Sequence, residues 1–389
     1  MALPISYNVR SLIVRWKVTL LAIGGIALVV TVLVVLTAMA NGFMQTLAAT
    51  GDPANAIVVQ RGSGSELTSF FSREHRNLIE ADGRIARGAD GLPLTSAEIV
   101  IVANLKRKAD GEPTNVTVRG ITPNAFKVRS GIRIVNGRMF TQGLGEVIVG
   151  EQIARRIAGL DLGQKLKIQN RDWEVVGWFA AAGGALESEI WGDYEVMGPA
   201  FRRGGGQNSL TVRLTDPSTR EAFDKEWREN PQMQVQADSE REYYAKQSGP
   251  VRGPLLALAG FVSVVMGIGA IFGAMNTMYA IVAARTREVG TLRALGFSRR
   301  SILTSFLIES LFLALVGGVA GCLLAFPMNG YSTGTGQTAS FSEVAFAFRI
   351  SPASLTLGML FALMMGFLGG LLPAFRASRL PITTALREG

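Results

Sequence analysis

Two residue types that build many catalytic and metal-binding sites are almost missing from this sequence. Its 389 residues include one cysteine, Cys322, and one histidine, His75. A single thiol excludes an intramolecular disulfide bond, and Cys322 lies in an apolar run where it is expected to pack as a small hydrophobic residue. Because no second His or Cys exists to complete a site, His75 is expected on a solvated helix face and no metal site is predicted.

The sequence also lacks the short motifs that mark common hydrolases and nucleotide-binding proteins. It contains no G-x-S-x-G, no H-E-x-x-H and no G-x-x-x-x-G-K-[ST]. Two glycine-rich stretches, "GGALESEI" and "RRGGGQNS", do not join a strand to a helix with the spacing of a phosphate loop, so both are predicted to be surface loops. We therefore predict no catalytic residue and no bound cofactor.

Charge is missing from four long stretches, each long enough to supply the roughly 20 helical residues that cross a bilayer. Residues 18–40 and 253–284 carry no charge, the third stretch (about 301–326) contains only Glu309, and the fourth runs from about 352 to 374. A mean hydropathy of +0.28 also favours a membrane protein. We predict four transmembrane helices.

The excess of basic residues lies outside the large middle block. Between Phe43 and Gly249 there are 26 basic and 26 acidic residues, so the net charge of +9 belongs to the segments that border the apolar stretches. A nucleic-acid-binding domain would concentrate basic residues on its folded part. No nucleic-acid partner is therefore expected.

The positions of the basic residues predict how the chain is oriented in the membrane. They precede the first span, separate the second from the third and follow the fourth: Arg10, Arg15 and Lys17; Arg285, Arg287, Arg293, Arg299 and Arg300; Arg376, Arg379 and Arg387. These segments and both termini are expected in the cytoplasm, with the middle block outside. Cleavage of a signal peptide after residues 38–40 is an alternative, and it too leaves the block outside.

Short apolar runs alternate with helical patterns in the middle block. Strands are predicted at "AIVVQ", "AEIVIVANL", "TNVTVRGI" and "EVIVG", a hairpin within "QKLKIQNRDWEVVGWF", and helices at "GEQIARRIAGL" and "DPSTREAFDKEWREN". The run "SLTVRL", the last of these helices and "MQVQAD" form a predicted β-α-β unit. The block is therefore predicted to be an α+β domain.

The connector between the second and third spans has a helical pattern. Val289, Leu292 and Leu295 repeat at helical spacing and form an apolar stripe, with arginines around them. Gly296 is placed to end this helix and Ser298 to cap the next one. We predict a short amphipathic docking helix; the alternative is a plain positively charged loop on the lipid headgroups.

Small residues recur four positions apart in three of the spans. The pairs are Gly269 and Gly273, Gly317 and Gly321, and Gly366 and Gly370. Helices in lipid associate through small residues, so these pairs are predicted to pack helices within a bundle or a dimer. Apart from Glu309, the spans contain almost no ionisable residue, and this argues against an ion channel or a proton-coupled carrier. Glu309 is expected to pair with Arg299 or Arg300.

The residues around the connector resemble a known family. "NTMYAIVAARTREVGTLRALGFSRRSILTSFLIES", the start "SYNVRSLIVRWKVTLLAIGGIALVV" and the end "GGLLPAFRASRLPITTALRE" are similar to the permease subunits of MacB/FtsX-type ABC transporters. The four-span layout with a large external insertion after the first span agrees. The external block matches only in position, size and mixed α/β character.

The resemblance implies a dimer, formed with an identical or a paralogous permease, and a separate cytoplasmic ABC ATPase that binds ATP and Mg²⁺. The ATPase would receive the connector helix, whose candidate coupling residues are Arg285, Arg287, Glu288, Gly290, Arg293, Leu295 and Gly296. A periplasmic adaptor protein and membrane lipids are further partners that it allows. Some relatives fuse the ATPase to the permease, but this chain lacks the G-x-x-x-x-G-K-[ST] motif and is expected to be non-catalytic.

Together these inferences predict an integral membrane α-helical bundle with an α+β extracytoplasmic domain inserted between helices 1 and 2, in the bacterial plasma (inner) membrane. The predicted segments are an amphipathic N-terminal helix (1–17), helix 1 (18–42), the extracytoplasmic domain (43–249), helix 2 and a stalk (250–284), the cytoplasmic coupling helix (285–300), helix 3 (301–327), an external loop (328–351), helix 4 (352–375) and a cytoplasmic tail (376–389). The expected function is ATP-driven export or extraction of a lipid, lipoprotein, peptide or hydrophobic small molecule. One alternative is a mechanotransmitter that activates an external hydrolase or sensor without moving a substrate, and another is a membrane-anchored external enzyme.

Overall fold

The computed structural model describes residues 16–336 and 342–381. Residues 1–15 of the predicted N-terminal helix (1–17) and residues 382–389 of the predicted tail lie outside these residues. The chain divides into two compact units. We call one the membrane unit (Met1–Gly42, Pro254–Tyr331 and Phe348–Gly389) and the other the sheet unit (Phe43–Gly253 and Ser332–Ala347).

Four of the helices are long and apolar. In chain order the helices are α1 (Trp16–Ala48), α2 (Arg73–Glu80), α3 (Ala125–Val128), α4 (Glu151–Arg156), α5 (Tyr194–Ala200), α6 (Arg220–Glu229), α7 (Glu240–Ala284), α8 (Thr286–Ala294), α9 (Arg299–Ala325) and α10 (Pro352–Ser378). Helices α1, α7, α9 and α10 contain candidate membrane spans with mean hydropathy between 2.1 and 2.8. Helix α7 begins in the sheet unit and ends in the membrane unit.

Glycines allow the helices of the membrane unit to approach closely. Four of the predicted packing glycines lie at such contacts: Gly317, Gly321, Gly366 and Gly370. A Cβ atom on Gly321 would stand 2.6 Å from a backbone oxygen of α1, and one on Gly366 would stand 2.3 Å from a side-chain carbon of α9. Neither position can accept a larger residue without moving a helix, as expected for packing through small residues.

The sheet unit is built on one large mixed sheet. Its strands are β1 (Asn55–Gln60), β2 (Phe71–Ser72), β3 (Thr95–Lys106), β4 (Pro113–Ile121), β5 (Arg133–Gly137), β6 (Glu146–Gly150), β7 (Lys165–Ile168), β8 (Arg171–Ala180), β9 (Glu189–Asp193), β10 (Gly206–Gln207), β11 (Ser209–Arg213), β12 (Val235–Ser239), β13 (Ser332–Gly336) and β14 (Glu343–Ala347). The main sheet has the order β12-β1-β11-β3-β4-β9-β6-β8-β5, with β7 paired to β8. The predicted β-α-β unit is present, with β1 inserted between its strands β11 and β12.

Both faces of this sheet are covered. Along β1, Ala56 and Val58 belong to one hydrophobic core, whereas Ile57 and Val59 belong to the other. Successive side chains of a strand point to opposite faces, so β1 is buried on both sides. The second core also contains Tyr243 from the beginning of α7. The α+β character predicted for this region is confirmed.

The prediction of two glycine-rich surface loops is wrong for most of "GGALESEI" and for the second half of "RRGGGQNS", whose residues 202–205 do form a turn at the surface. In "GGALESEI", residues 185–188 form a buried turn of 3-10 helix and lead directly into β9. The turn can be buried because the Glu187 carboxylate accepts hydrogen bonds from the N–H groups of Ala181 (2.7 Å) and Gly183 (2.8 Å). In "RRGGGQNS", Gln207 and Asn208 are also buried.

The segment between α9 and α10 contains a hairpin, β13–β14, that belongs to the sheet unit. Glu343 forms an ion pair with Arg156, and its other oxygen accepts a 2.7 Å hydrogen bond from Thr114 Oγ1. Ser342 Oγ lies 2.8 Å from Thr117 Oγ1. The sequence did not indicate this structure within the predicted external loop.

Candidate coupling site between the second and third spans

The end of α8 and the start of α9 are both well defined. Gly296 has a φ of 94°, and its N–H bonds to the Arg293 carbonyl (3.2 Å), while the Phe297 N–H bonds to the Leu292 carbonyl (3.1 Å). This pair of bonds is a Schellman motif, which favours glycine at the left-handed position. Ser298 Oγ accepts the N–H of Ser301 (3.2 Å) and caps α9. Both predicted end signals are confirmed.

One face of α8 packs into the membrane unit. Val289 is 2% exposed and shares a hydrophobic cluster with Ile302 and Phe306 of α9. Gly290, beside it, is also buried. The helix is therefore packed against the start of the third span and is not a free loop.

A buried ion pair fixes the beginning of this helix. Arg285, the residue between α7 and α8, is 6% exposed and donates from Nη1 to Glu309 Oε2 at 2.8 Å. Its Nε donates to Glu288 Oε2 at 3.1 Å, and its guanidinium lies 5.2 Å from the centre of the Phe306 ring. Glu309 therefore pairs with Arg285, and not with Arg299 or Arg300 as expected from their proximity in sequence. A charge that lies between helices of one bundle is stabilised only while its partner stays in place.

The opposite face of α8 is exposed. It consists of Arg287, Glu288, Thr291, Ala294 and Leu295, which we call the coupling face. Their spacing of one, four, seven and eight residues from Arg287 places them on one side of a helix. Leu295 is 73% exposed, so the predicted apolar stripe of Val289, Leu292 and Leu295 is wrong at Leu295, which lies on the face opposite Val289. The face offers one positive, one negative and one apolar group to a partner.

The seven predicted coupling residues differ in their exposure. Arg287, Glu288, Leu295 and Gly296 are exposed, whereas Arg285 and Gly290 are buried and Arg293 is half-buried. Thr291 and Ala294, which were not predicted, complete the exposed face. Arg285 can act on a partner only through the position of α8, since its guanidinium points to Glu309 and Glu288.

Among the residues that the structure describes, no group of three or more His, Cys, Asp or Glu side chains is arranged to hold a metal ion. A helix with one packed face and one exposed face, fixed at its start and its end, is suited to binding another protein.

The predicted packing glycines of the second span form a different kind of surface. A Cβ atom added to Gly269 or Gly273 would meet no atom of the described chain within 4 Å. Both glycines line a groove of about 450 Å³ between α1 and α7. Large side chains on α7 are exposed nearby, including Phe261 (69%) and Phe272 (64%). This pair therefore does not pack helices within the chain.

Two family models match the chain. The MacB-like periplasmic core domain matches residues 19–230, more than half of the sequence, and the FtsX-like permease C-terminal domain matches residues 260–382. Four apolar helices, an α+β domain inserted after the first and these two matches define an ABC transporter permease. The chain belongs to the MacB/FtsX-type family of these permeases.

The chain is also similar to individual known proteins. The chain is 28% identical to the ABC transporter permease YknZ of Bacillus subtilis over 95% of its own length and 94% of that protein. It is 25% identical to the macrolide export ATP-binding/permease protein MacB of Burkholderia pseudomallei, and spans 58% of the length of that relative. The periplasmic region of MacB from Actinobacillus actinomycetemcomitans aligns with 53% of the chain at 12% identity, with a TM-score of 0.39.

Proposed function

We propose that this chain is the membrane subunit of an ABC transporter whose ATPase is a separate cytoplasmic polypeptide. ATP and Mg²⁺ would bind to that partner, since no G-x-x-x-x-G-K-[ST] motif occurs in this sequence. The family assignment and the coupling face support this proposal. The protein would lie in the bacterial plasma membrane with α8 and both termini in the cytoplasm. The reason is that arginine-rich segments next to membrane spans are usually found on the cytoplasmic side.

The observation that supports docking most directly is the exposed face of α8. An isolated exposed leucine has no significance, but Leu295 lies on the same helix face as Arg287 and Glu288. The ATPase would contact these side chains, while the buried residues Arg285 and Gly290 keep the face in position. ATP-driven closure of two ATPases would then move α8 and the helices packed on it as a rigid body.

A second copy of this permease, or a paralogue, would pair with it through α7. Gly269 and Gly273 have open space around them, and the span in α7 is only 17% buried, the lowest share among the four candidate spans. Small residues without a partner in the chain suit close approach of a helix from another chain. Membrane lipids would cover the remaining apolar surface.

The motion would serve export or extraction of a lipid, lipoprotein, peptide or hydrophobic small molecule, with a periplasmic adaptor as a further partner. The name of the MacB relative, a macrolide export protein, agrees with export of hydrophobic small molecules. The alternative is mechanotransmission, in which the same motion activates an external hydrolase or sensor. ATP-dependent release of a substrate from native membranes supports export, whereas activation of a partner without any released substrate supports mechanotransmission.

The docking proposal can be tested by copurification. The full chain is purified from its native membrane and the accompanying ATPase is identified. Arg287→Glu combined with Leu295→Ser reverses a charge and removes the exposed apolar group of the coupling face, so the ATPase should be lost. Arg300→Glu is the matched control, because Arg300 is also exposed but lies on α9 outside this face. Normal ATPase binding by the double variant, or no ATPase with the wild type, would contradict the proposal.

A further inference from the structure

Six charged side chains are buried together in the sheet unit. None is more than 7% exposed, although two are arginines and four are glutamates. They are Glu66, Glu98, Arg119, Arg129, Glu189 and Glu240, which we call the charge chain. Charged residues are almost never buried so completely unless they are paired.

The inner half of the charge chain is centred on Arg119 of β4. This guanidinium binds Glu189 of β9 with two hydrogen bonds, of 2.7 and 2.8 Å. It also donates from Nη1 to Glu66 Oε1 (2.7 Å) and to Glu98 Oε2 of β3 (2.6 Å). Because β3, β4 and β9 are neighbours in the sheet, Arg119 joins three adjacent strands.

The outer half leads to the first residue of α7. Arg129 forms an ion pair with Glu98, and its Nε donates to Glu240 Oε1 at 2.6 Å. Burial alone would raise the pKa of Glu98, but Arg129 and Arg119 outweigh it and hold that pKa below its usual range. Glu98 thus remains charged between the two arginines.

Glu240 is held from several sides. Besides Arg129, its carboxylate accepts the N–H of Asp52 (3.0 Å) and the Nδ2 of Asn55 (2.8 Å). Asp52 and Asn55 lie just after α1 and at the start of β1. A carboxylate at the beginning of a helix is also stabilised by the helix dipole. Every one of these contacts has Glu240 as the acceptor.

Apolar packing would hold the start of α7 without such charges. Tyr243 and Tyr244 already lie in the second hydrophobic core of the sheet unit. Buried ion pairs often add little stability over apolar residues of similar size, but they require one particular geometry. The charge chain therefore fixes the direction of the first turn of α7 relative to the sheet.

We propose that Glu240 is a positioning residue through which displacement of α7 is delivered to the sheet of this unit. The proposal rests on the proposed function, because the ATPase supplies the displacement at the other end of α7. In this account, the first turn of α7, Arg129, Glu98 and Arg119 move together with β3 and β4. Breaking the contact at Glu240 would leave α7 attached by its apolar packing but free to rotate against the sheet.

The test uses the full chain with its copurified ATPase in lipid nanodiscs. Cys322→Ala removes the native thiol, and fluorophores are placed at the exposed positions Lys165 in β7 and Phe326 after α9. The ATP-dependent change in energy transfer between these labels reports motion of the sheet unit. ATPase binding and hydrolysis are measured on the same samples, so failure of the proposed function is seen separately.

Glu240→Gln is the main variant, because all three partners of Glu240 are donors and an amide must direct its NH₂ group at one of them. Glu242→Gln is the matched control: Glu242 is on the same helical turn, its side chain is 54% exposed, and it lies 3.8 Å from Arg220. Arg129→Lys is a second variant that keeps the charge but cannot span both carboxylates. Thermal unfolding checks that each variant is folded.

We expect Glu240→Gln and Arg129→Lys to reduce the ATP-dependent change by more than about half while ATPase binding and hydrolysis persist. Glu242→Gln should behave as the wild type. If Glu240→Gln does not fold, the result of Arg129→Lys decides. The proposal would be overturned if folded Glu240→Gln, or Arg129→Lys where Glu240→Gln does not fold, shows the same ATP-dependent energy-transfer change as the wild type. It would also be overturned by the absence of any change in the wild type when the ATPase binds and hydrolyses ATP normally.

Discussion

The two ends of α7 are held by similar chemistry but in very different surroundings. At its start, Glu240 joins a network of six buried charges inside a β-sheet domain. At its end, Arg285 makes one fully buried ion pair, with Glu309, in a helical bundle. The difference indicates two tasks: the start of α7 is fixed to a sheet, whereas its end packs among the helices of the membrane unit and is followed by an exposed helix face.

The comparison predicts its largest effect at Glu98, because this carboxylate pairs with two arginines. Glu98→Gln would leave Arg119 and Arg129 with fewer buried counter-charges. We expect the free energy of unfolding of the sheet unit to fall by about 3–5 kcal/mol. Denaturant unfolding followed by tryptophan fluorescence would measure it, with the exposed Glu112→Gln as control. A loss of unfolding free energy no larger than that of the control would show that the fold does not depend on the charge of Glu98.

The next largest effect is predicted at the other end of α7. Glu309→Gln would leave Arg285 with Glu288, whose side chain is 53% exposed. We expect a local loss of about 1–3 kcal/mol, seen as faster hydrogen exchange in α8. ATPase binding should persist, because the coupling face does not include Glu309, but hydrolysis should no longer respond to the permease. Unchanged exchange in α8 would contradict the role given to this pair.

Glycine substitutions sharpen the contrast between packing inside the chain and packing with a partner. Gly366→Val should lower the thermal midpoint of the membrane unit by a few degrees, because a Cβ there would overlap a side-chain carbon of α9. Gly273→Val should leave the midpoint of the single chain unchanged but reduce the dimer fraction in nanodiscs. If Gly366→Val and Gly273→Val affect the thermal midpoint and the dimer fraction equally, the two glycines do not differ in the way proposed.

The smallest effect is predicted for a peripheral ion pair of the sheet unit. Arg138 hydrogen-bonds to Glu146 and holds the pKa of that carboxyl at about 2, below its usual value of 4.5. A lowered pKa stabilises the fold above pH 4.5, and this stability is lost as the pH falls towards 2. Because the Arg138 side chain is 55% exposed, solvent screens this ion pair and its contribution to stability is small. Glu146→Gln should therefore show a slightly weaker dependence of thermal midpoint on pH between 6 and 3; an unchanged dependence would exclude this contribution.

Local signals in the sequence predicted local structure well. Gly296 and Ser298 marked the end of α8 and the start of α9 because helix ends are determined by a few neighbouring residues. The uncharged runs predicted the four spans for a similar reason: crossing a bilayer requires a continuous apolar segment. The α+β character followed from the alternation of strand and helix patterns.

Contacts between distant residues could not be predicted in this way. Arg285 and Glu309 are 24 positions apart, and Arg119 and Glu189 are 70 apart. Their pairing depends on how helices pack and on the order of strands in the sheet, which the pattern of one sequence does not determine. The same reason explains the error in "GGALESEI", where glycines indicated a loop but a buried carboxylate allows the turn to lie inside the domain.

In the proposed mechanism, α7 connects the two ion-pair sites in series. The most direct test measures the ATP-dependent energy-transfer change between labels at positions 165 and 326 in Glu240→Gln, Glu309→Gln and the double variant, with the ATPase bound. If both sites lie on one route, the losses caused by the two substitutions should not add. The double variant is therefore expected to show the same small residual energy-transfer change as the single variant with the smaller change. Two partial losses that add in the double variant would contradict the account, because they would show that the two sites act through independent routes.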